Sequence, residues 1–258
     1  MKLRIVPYSV SYDTVEKINK YATILLYSST VVSIAISLLG YFNLLPDLRN
    51  TLIGFNILFI CIYIYLDNRA NYIFAKAEMK RRLDWLDNSF GTNFSGKKSK
   101  NYFTNEHLSP GLYKLAVNCF KNSCHTQSNI SKMLPAIISQ TIIIVMIFIS
   151  SAYIGNREIV RLFFELSLPA ILIQKLIKAV YFSSRMIDVQ DRFKLLFNDL
   201  MKFGFDNKTA EALRDILEYE TALSWASTPL SSKIFKKYQN QWATEWEELK
   251  QEYQIKSE

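Results

Sequence analysis

Four apolar runs divide the chain, and polar stretches of helical period lie between and after them. Residues 21–42 and 133–154 are each 22 residues long and carry no charge. At about 1.5 Å of rise per residue, either run covers the roughly 30 Å hydrocarbon core of a bilayer. Residues 51–66 form a shorter run, ended by Asp67, near the lower limit for a membrane span. Residues 159–182 are less clean, because they include Arg161, Glu165, Pro169, Gln174, Lys175 and Lys178. A soluble amphipathic helix is the alternative for that run. The four residues 155–158 allow only a tight turn, however, and that returns the chain at once into the layer the previous run has crossed.

The polar stretches read as helices too. Asp13 and Glu16 resemble a capping box, so a helix is expected to start at 13 after an irregular lead. Residues 43–50, with Pro46, are a turn. Beyond Asp67, Tyr72, Met79, Leu83, Leu86 and Phe90 recur at helical spacing, and Gly91 is a natural stop. Residues 91–100 form a Gly/Ser/Lys loop. Pro110 opens a helix with Leu112, Leu115, Ala116, Cys119 and Phe120 on one face, and Thr126 or Ser128 is expected to cap a separate helix carrying 133–154. Three further helices follow the fourth run. The first carries Met186, Phe193, Leu196, Phe197, Leu200 and Phe203 and closes at Gly204; the second covers 207–223. Ser231 or Ser232 caps the last, with Phe235, Tyr238, Trp242, Trp246, Leu249 and Tyr253 along one face.

The pattern therefore predicts an all-α membrane protein with four transmembrane helices in two hairpins and long helices extending into a cytoplasmic helical region. Its segments are 1–20 (cytoplasmic), 21–66 (first hairpin), 67–132 (basic cytoplasmic helices), 133–182 (second hairpin) and 183–258 (cytoplasmic tail). The mean hydropathy of +0.04 hides this, because the apolar runs fill only about a third of the chain. Charge sets the orientation. Residues 67–132 hold eleven Lys and Arg against five Asp and Glu, whereas the only basic residues of the two turns between paired runs are Arg49 and Arg157, with Arg161 just inside the fourth run. By the positive-inside rule both turns face outward and both termini are cytoplasmic. The first twenty residues mix Lys2, Arg4, Lys17 and Lys20 with Asp13 and Glu16, with no h-region, so the first run is expected to remain as an anchor.

Candidate chemistry is sparse. His107, Cys119, Cys124 and His125 lack the spacing of a zinc site, and three cysteines do not suggest a disulfide framework. Nucleophile elbow, phosphate-cradling glycine loop and HExxH are all missing from the sequence. No catalysis, metal or cofactor is expected. The polar residues within the runs say more: Asn56, Gln140, Glu165, Gln174 and Lys175 are intramembrane or pore candidates. Gln140 and Gln174 fall at similar depth, where they could hydrogen-bond across the hairpin; Arg161, one turn from Glu165, is the alternative that simply neutralises it. Lys76, Lys80, Arg81 and Arg82 follow a span directly and suit anionic lipid, at about 1 kcal/mol per basic residue. Sequence-specific nucleic-acid binding is not expected. Trp85, Trp242, Trp246 and Tyr253 are partner-docking candidates if exposed, and core residues otherwise.

The order of two spans, a basic segment, two spans and an aromatic helical tail resembles the SMODS-associating four-transmembrane effectors of CBASS antiphage defence. The stretches RRLDWLDNSFGTNF and ALRDILEYETALSWASTPLSSKIFKKYQNQW carry the likeness, and Asp84, Trp85, Asp87 and Phe90 loosely match the expected acidic-aromatic segment. Similar membrane effectors accompany retron reverse transcriptases. The resemblance implies a pore-forming or membrane-disrupting toxic effector, working by abortive infection as a homo-oligomer. Its trigger would come through the cytoplasmic part from a cyclic-nucleotide synthase or a reverse transcriptase–RNA complex. A membrane-anchored binding or signalling module without pore activity is the alternative, and a small-solute transporter a third.

Overall fold

Long helices dominate the computed structural model, which describes residues 6–100, 102–103, 105–154 and 159–255, with no side chain described at 151–152, 154 and 159–167. The order is α1 (Ser9–Tyr41), α2 (Pro46–Phe90), α3 (Leu112–Ile154), α4 (Ile159–Phe203), a single 3-10 turn (Asp206–Lys208), α5 (Thr209–Ala226) and α6 (Ser232–Glu252). No strand occurs among the described residues, so the chain is all-helical. Among the described residues three helices, α1, α2 and α3, are long and apolar enough to cross a bilayer.

Local signals fix several ends. Pro46 is the first residue of α2, where its missing N–H costs nothing. Gly91 (φ +72°) and Gly204 (φ +73°) follow α2 and α4 in the left-handed conformation that glycine adopts without strain. The Ser231 hydroxyl accepts from the Ile234 N–H at 3.2 Å and caps α6.

Other expectations need correction. Helix α1 starts at Ser9 rather than Asp13, because Tyr8 is buried against Tyr102 (6.3 Å) and fixes the chain earlier. Thr126 and Ser128 cap nothing, since α3 runs unbroken through both. No glycine or proline lies between 112 and 134 to stop it, and hydroxyls there bond back within the helix, as Ser131 does to the Ser128 carbonyl at 3.1 Å. The stripe from Met186 to Phe197 belongs to α4 itself and not to a separate helix. On α2 the expected apolar face is misassigned: Tyr72, Met79 and Phe90 are exposed, whereas Ala70, Phe74, Ala77, Asp84, Trp85 and Asp87 are buried. Two of those buried side chains are carboxylates that organise the following loop, which hydropathy alone does not reveal.

The chain divides into two compact units. One, the apolar bundle, comprises Ser11–Phe74 and Pro135–Lys178. Its core takes two residues from each long helix: Ala22 and Leu26, Ile60 and Tyr63, Ile144 and Phe148, Leu168 and Leu172. Its outer surface inverts the pattern of a water-soluble protein. Tyr27, Val31, Leu38, Phe55, Leu58, Ile142, Ile143 and Met146 are exposed, whereas Ser29, Ser33 and Asn56 are buried. Such a surface suits hydrocarbon and not water.

The other unit, the polar unit, comprises Ala75–Leu134 and the chain from Ala179 onward, with the described residues before Ser11. Its core is aromatic. Phe120 stacks on Phe193 (5.8 Å) and Phe197 (5.3 Å) and takes the edges of Trp246 (5.6 Å) and Tyr253 (5.8 Å), so α3, α4 and α6 share one centre.

Candidate functional site: polar groups inside the apolar bundle

Two groups of polar side chains lie within the apolar bundle. In the first, Ser29 donates its hydroxyl to Asn56 Oδ1 at 2.6 Å, and Asn56 Nδ2 donates to Ser33 Oγ at 2.8 Å. Ser29 and Ser33 are four residues apart, so they present one face of α1 to the amide on α2. Thr30 and Ser37 on the same helix bond back to the carbonyls of Leu26 and Ser33. An amide without partners in hydrocarbon costs several kcal/mol, and these contacts remove that cost.

The second group is charged. Lys175 of α4 pairs with the Asp67 carboxylate of α2, and its Nζ donates to Tyr63 Oη at 3.2 Å. The ammonium also lies 5.3 Å from the Tyr63 ring centroid. Tyr63 and Asp67 are one turn apart on α2, so α4 is held at both polar points by one side chain. The Lys175 side chain is partly exposed, whereas Tyr63 is buried and the Asp67 side chain nearly so.

Asn56 and Asp67 are eleven positions apart on α2, about 16 Å along the helix. Ile60 and Tyr63 lie between them on α2 and pack in one core with Ala22, Leu26, Ile144, Phe148, Leu168 and Leu172. Two polar groups of the bundle are thus joined along α2 by residues of its apolar core.

The structure distributes the sequence candidates unevenly. It brings Asn56 and Lys175 into bonded sites. Gln140 is half-buried and Gln174 exposed, and among the described residues no hydrogen bond joins them. The side chain of Glu165 lies outside those described. Three docking candidates, Trp85, Trp242 and Trp246, are at most 3 % exposed and serve as core; Tyr253 is half-buried against Phe120. The basic cluster splits. Lys76 and Lys80 are exposed, but Arg81 binds both Glu220 oxygens at 2.8 and 3.0 Å and Glu78 at 2.8 Å, and Arg82 reaches Glu220 at 2.6 Å.

Sequence reasoning missed Glu220, whose partners are 138 and 139 residues away, and no local signal marks it. It also missed the loop clamp at the end of α2. Asp87 accepts from Thr92 Oγ1 (2.8 Å), Phe94 N (2.6 Å), Ser95 N (2.8 Å) and Ser95 Oγ (2.6 Å). Asp84 accepts from the Ser99 N–H and hydroxyl. Burial alone would raise the Asp87 carboxyl, but the bonds from Ser95, Phe94 and Thr92 outweigh it and hold its pKa at about 2. Asp followed by a Ser/Thr/Gly loop is the signal that would have found it.

The cysteines and histidines offer little chemistry. Burial pushes the Cys124 thiol up to about 11 and raises Cys119, so neither is a thiolate at neutral pH. Among the described residues no cluster of three His, Cys, Asp or Glu is placed to hold a metal ion. Compared with protein-family models, with curated proteins and with solved structures, the chain finds no match.

Proposed function

We propose that this chain is a four-span protein of a bacterial inner membrane that permeabilises the bilayer when its cytoplasmic part receives a signal. The observation that carries the reading is the apolar bundle, where a buried amide–hydroxyl group and a partly exposed ion pair adjoin one apolar core. Charged and polar side chains inside a membrane bundle are expensive, and where they persist they mark paths for ions or water. Two observations support four spans over three. Helix α4 contributes Leu168 and Leu172 to the same core as α1, α2 and α3, and the exposed flank of the bundle is apolar on α4 as well, at Ile173 and Ile177.

In this reading the bundle is the closed state. Separating the Ile60–Phe148–Leu172 core, by rearrangement within one copy or by assembly of several, would join the polar sites into a wet path. The family resemblance supplies the setting: a toxic effector of antiphage defence, activated by a cyclic-nucleotide signal or by a reverse transcriptase–RNA complex, and acting as a homo-oligomer. The test is expression together with the candidate trigger while a potential-sensitive dye is followed. Membrane depolarisation at the time growth stops is expected; growth arrest with the potential intact would overturn it.

A second reading, a membrane-anchored signalling module, rests on the same bonds viewed differently, since Asn56 and Lys175 are both satisfied within one copy. Scrambling residue order in 133–154 and 159–178 at constant hydrophobicity separates the two. An anchor keeps its activity and a permeabilising bundle loses it.

A further inference from the structure

Of the four tryptophans, Trp85, Trp242 and Trp246 are buried, whereas Trp225 on the last turn of α5 is 47 % exposed. It packs on Tyr181 of α4, with ring centroids 4.3 Å apart and planes tilted by 55°. Tyr181 and its neighbour Val180 are each 45 % exposed. Three large side chains are thus presented outward at one point of the polar unit.

Sequence places that point. Tyr181 is the penultimate residue of the apolar run 159–182, one turn beyond Lys178. If that run crosses the bilayer, Tyr181 stands at its cytoplasmic edge, and Trp225, in contact with it, stands there too. Indole and phenol rings have an apolar body and a polar N–H or O–H, and such groups collect at the headgroup level. Two guanidinium groups adjoin the pair: Arg82 donates to the hydroxyl of Ser224, next to Trp225, and Arg185 lies one turn past Tyr181. The rest of the exposed face of α5, Leu217 and Leu213, leads away. Glu218 meets Arg185 and Lys208 meets Asp199, so α5 runs antiparallel to α4 and its earlier turns recede from Tyr181.

We propose that Trp225 and Tyr181 form an interfacial anchor that sets the C-terminal end of α5 into the phospholipid headgroup layer. The inference rests on the reading that the fourth apolar run spans the membrane. Its occupant is the bilayer interface, because Tyr181 follows the exposed Ile173 and Ile177 by two turns and one turn along the same apolar run. Helix α5 also carries Glu220, which holds Arg81 and Arg82. The anchor therefore ties the bilayer surface to the helix that binds the cytoplasmic end of α2.

The test uses the full chain in phosphatidylcholine–phosphatidylglycerol vesicles containing lipid brominated either near the headgroup or near the chain end. Headgroup-side bromine is expected to quench about one quarter of the tryptophan emission, the share of one residue in four. Chain-end bromine should quench less, and the effect should vanish in Trp225→Phe. Equal lipid quenching of wild type and Trp225→Phe overturns the proposal. So does quenching of Trp225 by aqueous iodide and not by lipid. Protection from both quenchers overturns it in favour of a second protein copy. Trp225→Tyr, with helicity checked by circular dichroism, guards against misfolding of the first variant. Alkaline extraction of the same vesicles separates the two ideas: an extracted chain fails the spanning reading, whereas a retained chain with unquenched Trp225 fails the anchor alone.

Discussion

At Asn56 a single amide meets two hydroxyls of the neighbouring helix inside an apolar bundle. Interhelical bonds of this kind contribute about 0.6–2 kcal/mol in membranes. Asn56→Leu is therefore expected to lower resistance to unfolding in detergent by about 1–2 kcal/mol; an unchanged midpoint would show that the bonds only replace contacts available in the unfolded membrane state. His125 makes a different prediction. Burial, with the nearby Lys121 charge, pushes its pKa down from 6.5 to about 4, and its Nε2 has no hydrogen-bond partner. The unfolded chain then binds more protons than the folded one between those values. This contribution to stability is complete above about pH 6.5 and is lost as pH falls toward 4. Melting curves at pH 7 and pH 5 should show the drop, and His125→Phe should flatten it.

Among the elements, α5 depends most on a partner remote in sequence. Glu220 joins it to α2 through Arg81 and Arg82, and Arg81 is 14 % exposed. Removing Glu220 takes a partner from both arginines while Arg81 keeps Glu78, so the cost falls below the roughly 3–5 kcal/mol of breaking a fully buried pair. Glu220→Ala should accordingly raise amide exchange along α5, whereas Arg81→Met combined with Glu220→Met should recover much of the loss. The loop after α2 follows the same logic with smaller stakes. Asp87→Asn removes charge-assisted bonds to three residues, so trypsin should cut at the exposed Lys97 and Lys98 several-fold faster. Helix ends governed by local chemistry, at Gly91, Gly204 and Ser231, were legible from sequence, whereas the start of α2 at Pro46 was read as part of a turn over 43–50. The unbroken lengths of α3 and α4 were not, because a Ser or Thr within a helix has the same composition as a cap and only its backbone conformation tells them apart.

For the whole molecule, the membrane reading predicts which side each segment faces. Alkaline phosphatase fused after residue 45 should be active outside the inner membrane, and the same fusion after residue 100 or 228 inactive, with the opposite result for a cytoplasmic reporter. Activity after residue 100 would overturn the orientation drawn from charge. The ion pair of α2 and α4 gives a second test at this scale. Asp67→Lys or Lys175→Asp alone places like charges together and should alter the permeability of expressing cells, while the double exchange should restore it. If the exchange behaves like either single change, the pair is not what holds the two helices.

Sequence by itself determined the helical class, the apolar runs and most helix ends, because those follow from periodicity, run length and the conformations open to Gly, Pro and Ser. It also singled out Asn56 and Lys175, since a polar residue in an apolar run is conspicuous without any structure. Only the tertiary structure decided what each meets: Ser29 and Ser33 for the one, Asp67 and Tyr63 for the other. It alone buried Trp85, Trp242 and Trp246 and left Trp225 at the surface. The physical reason is range. Backbone preference and hydrophobic period act over a few residues, whereas Arg81 with Glu220, or Tyr181 with Trp225, are brought together by packing between helices far apart in the chain.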